Sequence, residues 1–169
     1  MGTGAFSKMN TGDRTVSVRV VNDANSFLGL RPTSDGFNGS NEHGQFAEYE
    51  EGKLLIQIDG SNTQRAKGVN PDSEYYFDRV FEIVNKDADR NEHHVWISSN
   101  TADPVDFYWK GDPSNSAEGP NNSKQTTAGS VHDVGMYVDA TDLDPDGKRQ
   151  SNYTLNGDIV ISAENTAND

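Results

Sequence analysis

The chain of 169 residues contains no cysteine, which excludes a disulfide framework, a thiol nucleophile and a thiolate metal site. Basic residues are also scarce: 14 Lys and Arg stand against 27 Asp and Glu, for a formal charge of -13 and a pI near 4.5. So acidic a surface repels polyphosphates and anionic lipids, which argues against nucleic acid as a partner. No apolar run approaches the length of a membrane-spanning helix. Catalytic signatures are missing as well. There is no H-E-x-x-H, no G-x-S-x-G, no phosphate-cradling glycine loop and no lysine-centred site, so nothing in the sequence argues for an enzyme.

What is present is acid, small polar residues and alternation. High Asp with abundant Asn, Ser, Thr and Gly suits a protein kept hydrated in high salt. The leader Gly2-Thr3-Gly4-Ala5-Phe6-Ser7 resembles the stretch just after a secretory cleavage site, so the protein is expected to be exported. It runs into Thr15-Val16-Ser17-Val18-Arg19-Val20-Val21, whose valines alternate as a strand requires.

The same period recurs along the chain. Leu54, Ile56 and Ile58 alternate up to the turn pair Asp59-Gly60. Val95 and Ile97, then Val105, Phe107 and Trp109, then Val134, Met136 and Val138 each mark one face of a strand. Tyr153, Leu155, Ile159 and Ile161 share another, and Leu28-Gly29-Leu30 stops at Pro32. Asn70-Pro71-Asp72-Ser73-Glu74 opens like a helix, but the run from Tyr75 to Val84 is rich in aromatic and β-branched residues. It is read as a turn followed by a strand. About eight short strands separated by Gly, Pro, Asn and Asp predict an all-β, single-domain, jelly-roll-like β-sandwich with long loops. Residues 1–12 form the leader and 13–169 the sandwich; the stretches 37–44 and 111–129 read as solvent loops.

Few residues carry possible chemistry. Asp142, Asp144 and Asp146, followed by Gly147, match the start of a calcium loop, in which alternate carboxylates converge on a hard cation. The position that should supply a bidentate Glu is Tyr153, and Pro145 lies inside the loop, so an acidic hairpin turn competes with the calcium reading. His93 and His94 are adjacent and point to opposite faces of a strand, an arrangement poorly suited to chelation. Asn38, Asn121 and Asn152 each begin an N-x-S/T glycosylation sequon in an expected loop. Among the aromatics, Trp109 shares the face of Val105 and Phe107 and is assigned to the core. Trp96 and Tyr108 lie opposite core faces and are expected on a contact surface, with Tyr137 a further candidate for sugar stacking.

Several short segments, taken in order, carry a resemblance: the leader; Asp13-Arg14-Thr15-Val16-Ser17-Val18; Leu28-Gly29-Leu30; Phe77-Asp78-Arg79-Val80-Phe81-Glu82-Ile83-Val84-Asn85; and Asp139-Ala140-Thr141-Asp142-Leu143. With them the chain resembles haloarchaeal secreted surface proteins related to TasA and camelysin, and the archaeal bundling pilins. The resemblance implies a secreted jelly-roll sandwich that forms extracellular biofilm fibres by donor-strand exchange. In that process the N-terminal segment of one subunit completes a sheet of the next. Here Ala5, Phe6 and Met9 would be the inserting residues, and the partner would be another copy of the chain. Camelysin relatives are classed as metallopeptidases, but the zinc-peptidase motif is absent from this chain. The alternatives to the fibre are a monomeric cell-surface binding module for glycans or calcium and, third, a secreted hydrolase.

Overall fold

The computed structural model describes residues 14–22, 28–33, 43–50, 53–58, 73–87, 92–99, 105–141 and 153–165. Among them are ten strands: β1 (Arg14–Asn22), β2 (Leu28–Pro32), β3 (Ala47–Glu50), β4 (Lys53–Ile58), β5 (Glu74–Asn85), β6 (His93–Ser99), β7 (Val105–Trp109), β8 (Lys124–Thr126), β9 (Val131–Asp139) and β10 (Tyr153–Asn165). They form a six-stranded sheet in the order β3-β4-β1-β10-β6-β8 and a four-stranded sheet in the order β2-β5-β9-β7. No described helix is long and apolar enough to cross a membrane.

The two sheets pack face to face because their alternating apolar residues have nowhere else to go. Leu54, Ile56 and Ile58 of β4, Val95 and Ile97 of β6, and Ile159 and Ile161 of β10 supply one inner face. Phe77, Phe81 and Ile83 of β5, Val105, Phe107 and Trp109 of β7, and Val134, Met136 and Val138 of β9 supply the other, and all belong to one continuous core. Each such side chain, fully buried, stabilises the fold by roughly 1.5–3 kcal/mol relative to exposure. The architecture is therefore the expected all-β sandwich. The contested run after Ser73 is strand from Glu74 to Asn85, as its β-branched and aromatic content predicts.

Three features depart from the sequence reading. The strands β3 and β8 have too few residues to show an alternation, and neither was anticipated. Strand β5 carries a large bulge. Phe77 pairs with Met136 and Phe81 with Val134, so Asp78, Arg79 and Val80 together oppose Gly135. Arg79 takes a positive φ of 52°, and the inward face resumes on the far side at Val80, Phe81 and Ile83.

The third departure corrects the description of 111–129 as a loop decorating the sandwich. Asn115 O accepts from Trp109 N at 2.8 Å and Ala117 N donates to Phe107 O at 2.9 Å, which occupies the free edge of β7. Ala117 O also accepts from Ile97 N at 2.9 Å, and Gly119 N donates to Ile97 O at 3.0 Å. The segment is thus a strap that ties the edge of one sheet to β6 of the other, with its own Ala117 wholly buried between them. Its irregular composition hid a backbone requirement: buried N–H and C=O groups on both strands need partners, and the strap supplies them.

Candidate functional site

Two regions of the sandwich offer functional geometry. The first is the set of strand edges, since an unpaired edge is where a further chain can add. On the β7 side the strap closes the edge, and the carboxylate of Glu118 takes the place of a strand carbonyl by accepting from Phe107 N at 3.1 Å. Burial, with Asp106 nearby, pushes the Glu118 carboxyl above the usual range. On the opposite side the edge strands β2 and β3 come together, and the Tyr49 hydroxyl donates to Leu30 O across the seam. Tyr49 is 58% exposed, and Pro32 ends β2 without an N–H to offer. Glu48, exposed on β3, adds an acid to this edge.

Inside the larger sheet, the N-terminal strand β1 has neighbours on both sides. It runs parallel to β10 over nine residue pairs, from Arg14 opposite Tyr153 to Asn22 opposite Ile161. On its other flank it is antiparallel to β4, with Val18 opposite Ile56. A strand from the start of the chain therefore joins β3 and β4 to β10, β6 and β8.

The second region is the outer face of the smaller sheet, where strand register lays polar and aromatic residues in rows. Glu74 of β5 stands opposite Asp139 of β9. In the next row Tyr76 of β5 faces Tyr137 of β9, which in turn faces Asp106 of β7. In the third, Tyr108 of β7 lies over Gly135 and reaches Asp78 in the bulge, donating its hydroxyl to Oδ1 at 2.7 Å. The Tyr76 and Tyr137 rings lie 4.8 Å apart at 34°, and Tyr76 is 48% exposed. Tyr137 donates its hydroxyl to Glu74 Oε1 at 3.1 Å. Burial, the bond to Glu74 and the neighbouring Asp139 push the Tyr137 hydroxyl far above its ordinary value; Tyr108 is pushed up by burial and by Asp78. Asp139 is held below the usual carboxylate range by hydrogen bonds from Thr141.

Farther along the same strands Glu82 opposes Asp133, a second pair of acids. Each of these has an arginine: Arg31 on Glu82, and Arg79 Nε at 3.2 Å from Asp133 Oδ2. The two acid pairs are thus treated differently. Among the described residues no cation is paired with Glu74 or Asp139.

The residues singled out from the sequence are distributed as follows. Trp109 is in the core, as expected. Tyr108 points outward but is only 2% exposed, because Gly135 leaves space for its ring and Asp78 anchors its hydroxyl; its expected role as a contact surface is corrected. Trp96 is partly exposed on the outer face of the larger sheet, opposite Ser162. Tyr76 was missed because the helix-like opening before it obscured the strand phase. Asn121 is exposed in a short 3-10 turn, while Asn38 and Asn152 lie outside the described residues. Ala5, Phe6 and Met9, and Asp142, Asp144 and Asp146, also lie outside them.

The histidines stay apart. His93 is buried, with Nε2 2.8 Å from Asp87 Oδ2, and His94 turns outward to Ser123 Oγ at 3.2 Å. His43 donates both its backbone N–H and Nδ1–H to Asp78 O at 3.0 Å, which helps hold the bulge. His132 lies edge-on to Trp109 with its ring centroid 6.0 Å away. Among the described residues no three His, Asp or Glu side chains are grouped to hold a metal ion.

Residues 20–162 match a family described as a protein of unknown function (DUF1102), and the chain belongs to that family. No curated protein matches the sequence.

Proposed function

We propose that this DUF1102 protein is a structural subunit of an extracellular filament that assembles head to tail by donation of its N-terminal segment. The observation that carries the reading is the place of β1. The first described strand of the chain sits within the larger sheet between β4 and β10, so an N-terminal strand is already what unites that sheet. The sequence ahead of it, 2–11, with Ala5, Phe6 and Met9 as apolar anchors, is short enough and apolar enough to add to an edge of the next subunit. The β2/β3 side is the more accessible acceptor. There the seam is spanned by the Tyr49 side chain, whereas the β7 side is strapped by main-chain bonds. A head-to-tail contact that does not close into a ring propagates as a fibre. The charge of -13 opposes stacking in dilute salt, so assembly strengthens as salt screens it. The export expected from the leader and the resemblance of the sequence to TasA-related fibre proteins agree with the same reading.

Negative-stain microscopy of the exported protein in high salt tests it. The full chain forms filaments, and a chain lacking residues 2–11 keeps its melting temperature but forms none. Monomers at every salt concentration, or filaments from the shortened chain, overturn it.

The second reading, a monomeric surface-binding module, is favoured by the exposed tyrosine pair on the smaller sheet. It predicts saturable ligand binding without any length-dependent scattering.

A further inference from the structure

In the larger sheet the first and last described strands are neighbours, and they run in the same direction. β1 and β10 pair from Arg14 opposite Tyr153 to Asn22 opposite Ile161. Among the ladders between described strands, theirs is the parallel one; the rest are antiparallel. Parallel pairing is slightly weaker per residue than antiparallel pairing and cannot be closed by a hairpin. Local stability therefore does not favour the arrangement, but it has a mechanical consequence that the antiparallel one lacks.

Tension carried along the backbone enters β1 at Arg14 and leaves β10 at Asn165. Because the strands are parallel, these points lie at opposite ends of the pair: Arg14 is level with Tyr153, whereas Asn165 lies beyond Ile161 and Asn22. The pull slides one strand lengthwise past the other, across the direction of the N–H···O bonds between them. The whole ladder then shares the load, and its bonds have to fail together. Were β10 antiparallel to β1, both pulled ends would lie at the same end of the pair, which would open one residue pair after another. Each strand is also held on its second flank. β1 pairs with β4 from Val16 opposite Ile58 to Val20 opposite Leu54, and β10 with β6 from Ile159 opposite Ser99 to Asn165 opposite His93. Neither slides without shearing another ladder. Ile159 and Ile161 of β10 are buried between the sheets, where close packing opposes sliding as well. The strap in turn holds Ile97 of β6 to the edge of the smaller sheet through Ala117 and Gly119.

We infer that the four central strands of the larger sheet, β4-β1-β10-β6, form a tension-bearing clamp that keeps the sandwich folded while the chain is pulled between its N-terminal and C-terminal sides. The clamp gives the protein a mechanical role, transmitting a pull from one side of the domain to the other without opening its core. It is a property of one copy of the chain. It goes beyond the proposed assembly and holds with or without filaments, since it involves neither the leader nor a sheet edge.

Single-molecule pulling of the full-length protein tests it, and the absence of native cysteine lets one thiol handle be placed at a chosen residue. The protein used throughout carries Ser151→Cys, just ahead of Tyr153 in the chain. Pulled through marker domains fused at its two termini, it is loaded in shear. Pulled between the N-terminal marker and the thiol handle, it is loaded only at the end where Arg14 meets Tyr153, and the pair opens stepwise. At equal pulling speed the first direction is expected to need about threefold or more force, because forced unfolding is governed by the barrier along the pull rather than by equilibrium stability. One protein serves both directions, so a difference in fold cannot produce the contrast. Two further variants locate the resistance. Ile159 in β10 and Ile83 in β5 are equally buried, each at 0% exposure. Ile159→Val is expected to raise the rate of unfolding under terminal pulling about two- to fivefold, whereas Ile83→Val, the same change in the other sheet, leaves it as it was. Equal forces in the two directions would overturn the inference. So would equal acceleration by the two isoleucine variants.

Discussion

The Tyr108 hydroxyl donates to Asp78 Oδ1 at 2.7 Å across the bare backbone of Gly135, and this bond ties the bulge of β5 to the edge strand β7 over the strand between them. The bulge makes the reach possible by setting three residues against one. Asp78 then faces Tyr108 while its carbonyl holds His43, and Arg79 turns to Asp133. The absence of a side chain at Gly135 makes the crossing possible. A Cβ there would come within 2.4 Å of Tyr108 Cε2.

Gly135→Ala is accordingly expected to displace the Tyr108 ring and destabilise the protein by about 1–3 kcal/mol, as other overpacked sites do. Tyr108→Phe, which removes the hydroxyl and keeps the ring, costs about 0.5–1.5 kcal/mol. Urea unfolding of the two variants measures both. A Gly135→Ala protein as stable as the parent would show that the ring is not held where the bond requires it.

Glu118 confers a pH dependence of definite sign. Its carboxyl titrates higher in the folded protein than its ordinary value of 4.5, chiefly because of burial and then Asp106. The native state therefore holds the proton more tightly than the unfolded chain, and stability falls as pH rises from about 4.5 through the folded value. Glu118→Gln keeps an oxygen for Phe107 N and removes the titration. The variant is expected to gain on the parent between pH 4.5 and pH 7 in parallel urea titrations. A constant difference across that range would contradict the assignment.

His132 slopes the other way. Burial, and then Lys124, lower its folded value below the ordinary 6.5, so the unfolded chain takes up the proton first. Stability is present above pH 6.5 and is lost progressively as pH falls below it. Replacement by Gln flattens this part of the curve, while a profile unchanged below pH 6.5 would exclude the residue. Measuring the His132 and Glu118 variants together separates two slopes that partly cancel in the parent.

Asn121 is the one of the three sequons whose surroundings are described, and it is exposed at the tip of a 3-10 turn. Material exported from a glycosylating host is expected to carry a glycan there, seen as a mass increase on the peptide that contains it. The Trp109 Nε1–H bonds the neighbouring Asn122 carbonyl rather than Asn121, so Asn121→Gln removes the mass and leaves the unfolding free energy within about 0.5 kcal/mol of the parent.

Alternation alone located most of the strands. Leu54, Ile56 and Ile58, or Val134, Met136 and Val138, follow the two-residue period of a half-buried strand, and each is buried. The same period separated Trp109 from Trp96 correctly. It failed at Tyr108, which obeys the outward phase and is buried nonetheless. Phase reports the side of the sheet, whereas the room above Gly135 and the reach of Asp78 depend on strands far apart in the chain. It was silent on β3 and β8, whose few residues are strands only because β4 and β6 offer them backbone partners. The strap at 115–119 was hidden for the same reason, since hydrogen bonds to the backbone of two other strands leave no mark on composition.

By itself, then, the amino-acid order determined an acidic, cysteine-free chain of short alternating segments, and with it the all-β class and the identity of the inner faces. That information is local: which side of a strand is apolar is written within a few residues. The tertiary structure decided which strands are neighbours, and so the parallel seating of β1 beside β10, the strap across Phe107 and Ile97, and the meeting of Glu74 with Asp139 next to Tyr76 and Tyr137. Those relations join residues up to more than a hundred positions apart, and they exist only once the backbone groups and apolar faces of the whole chain have been satisfied together.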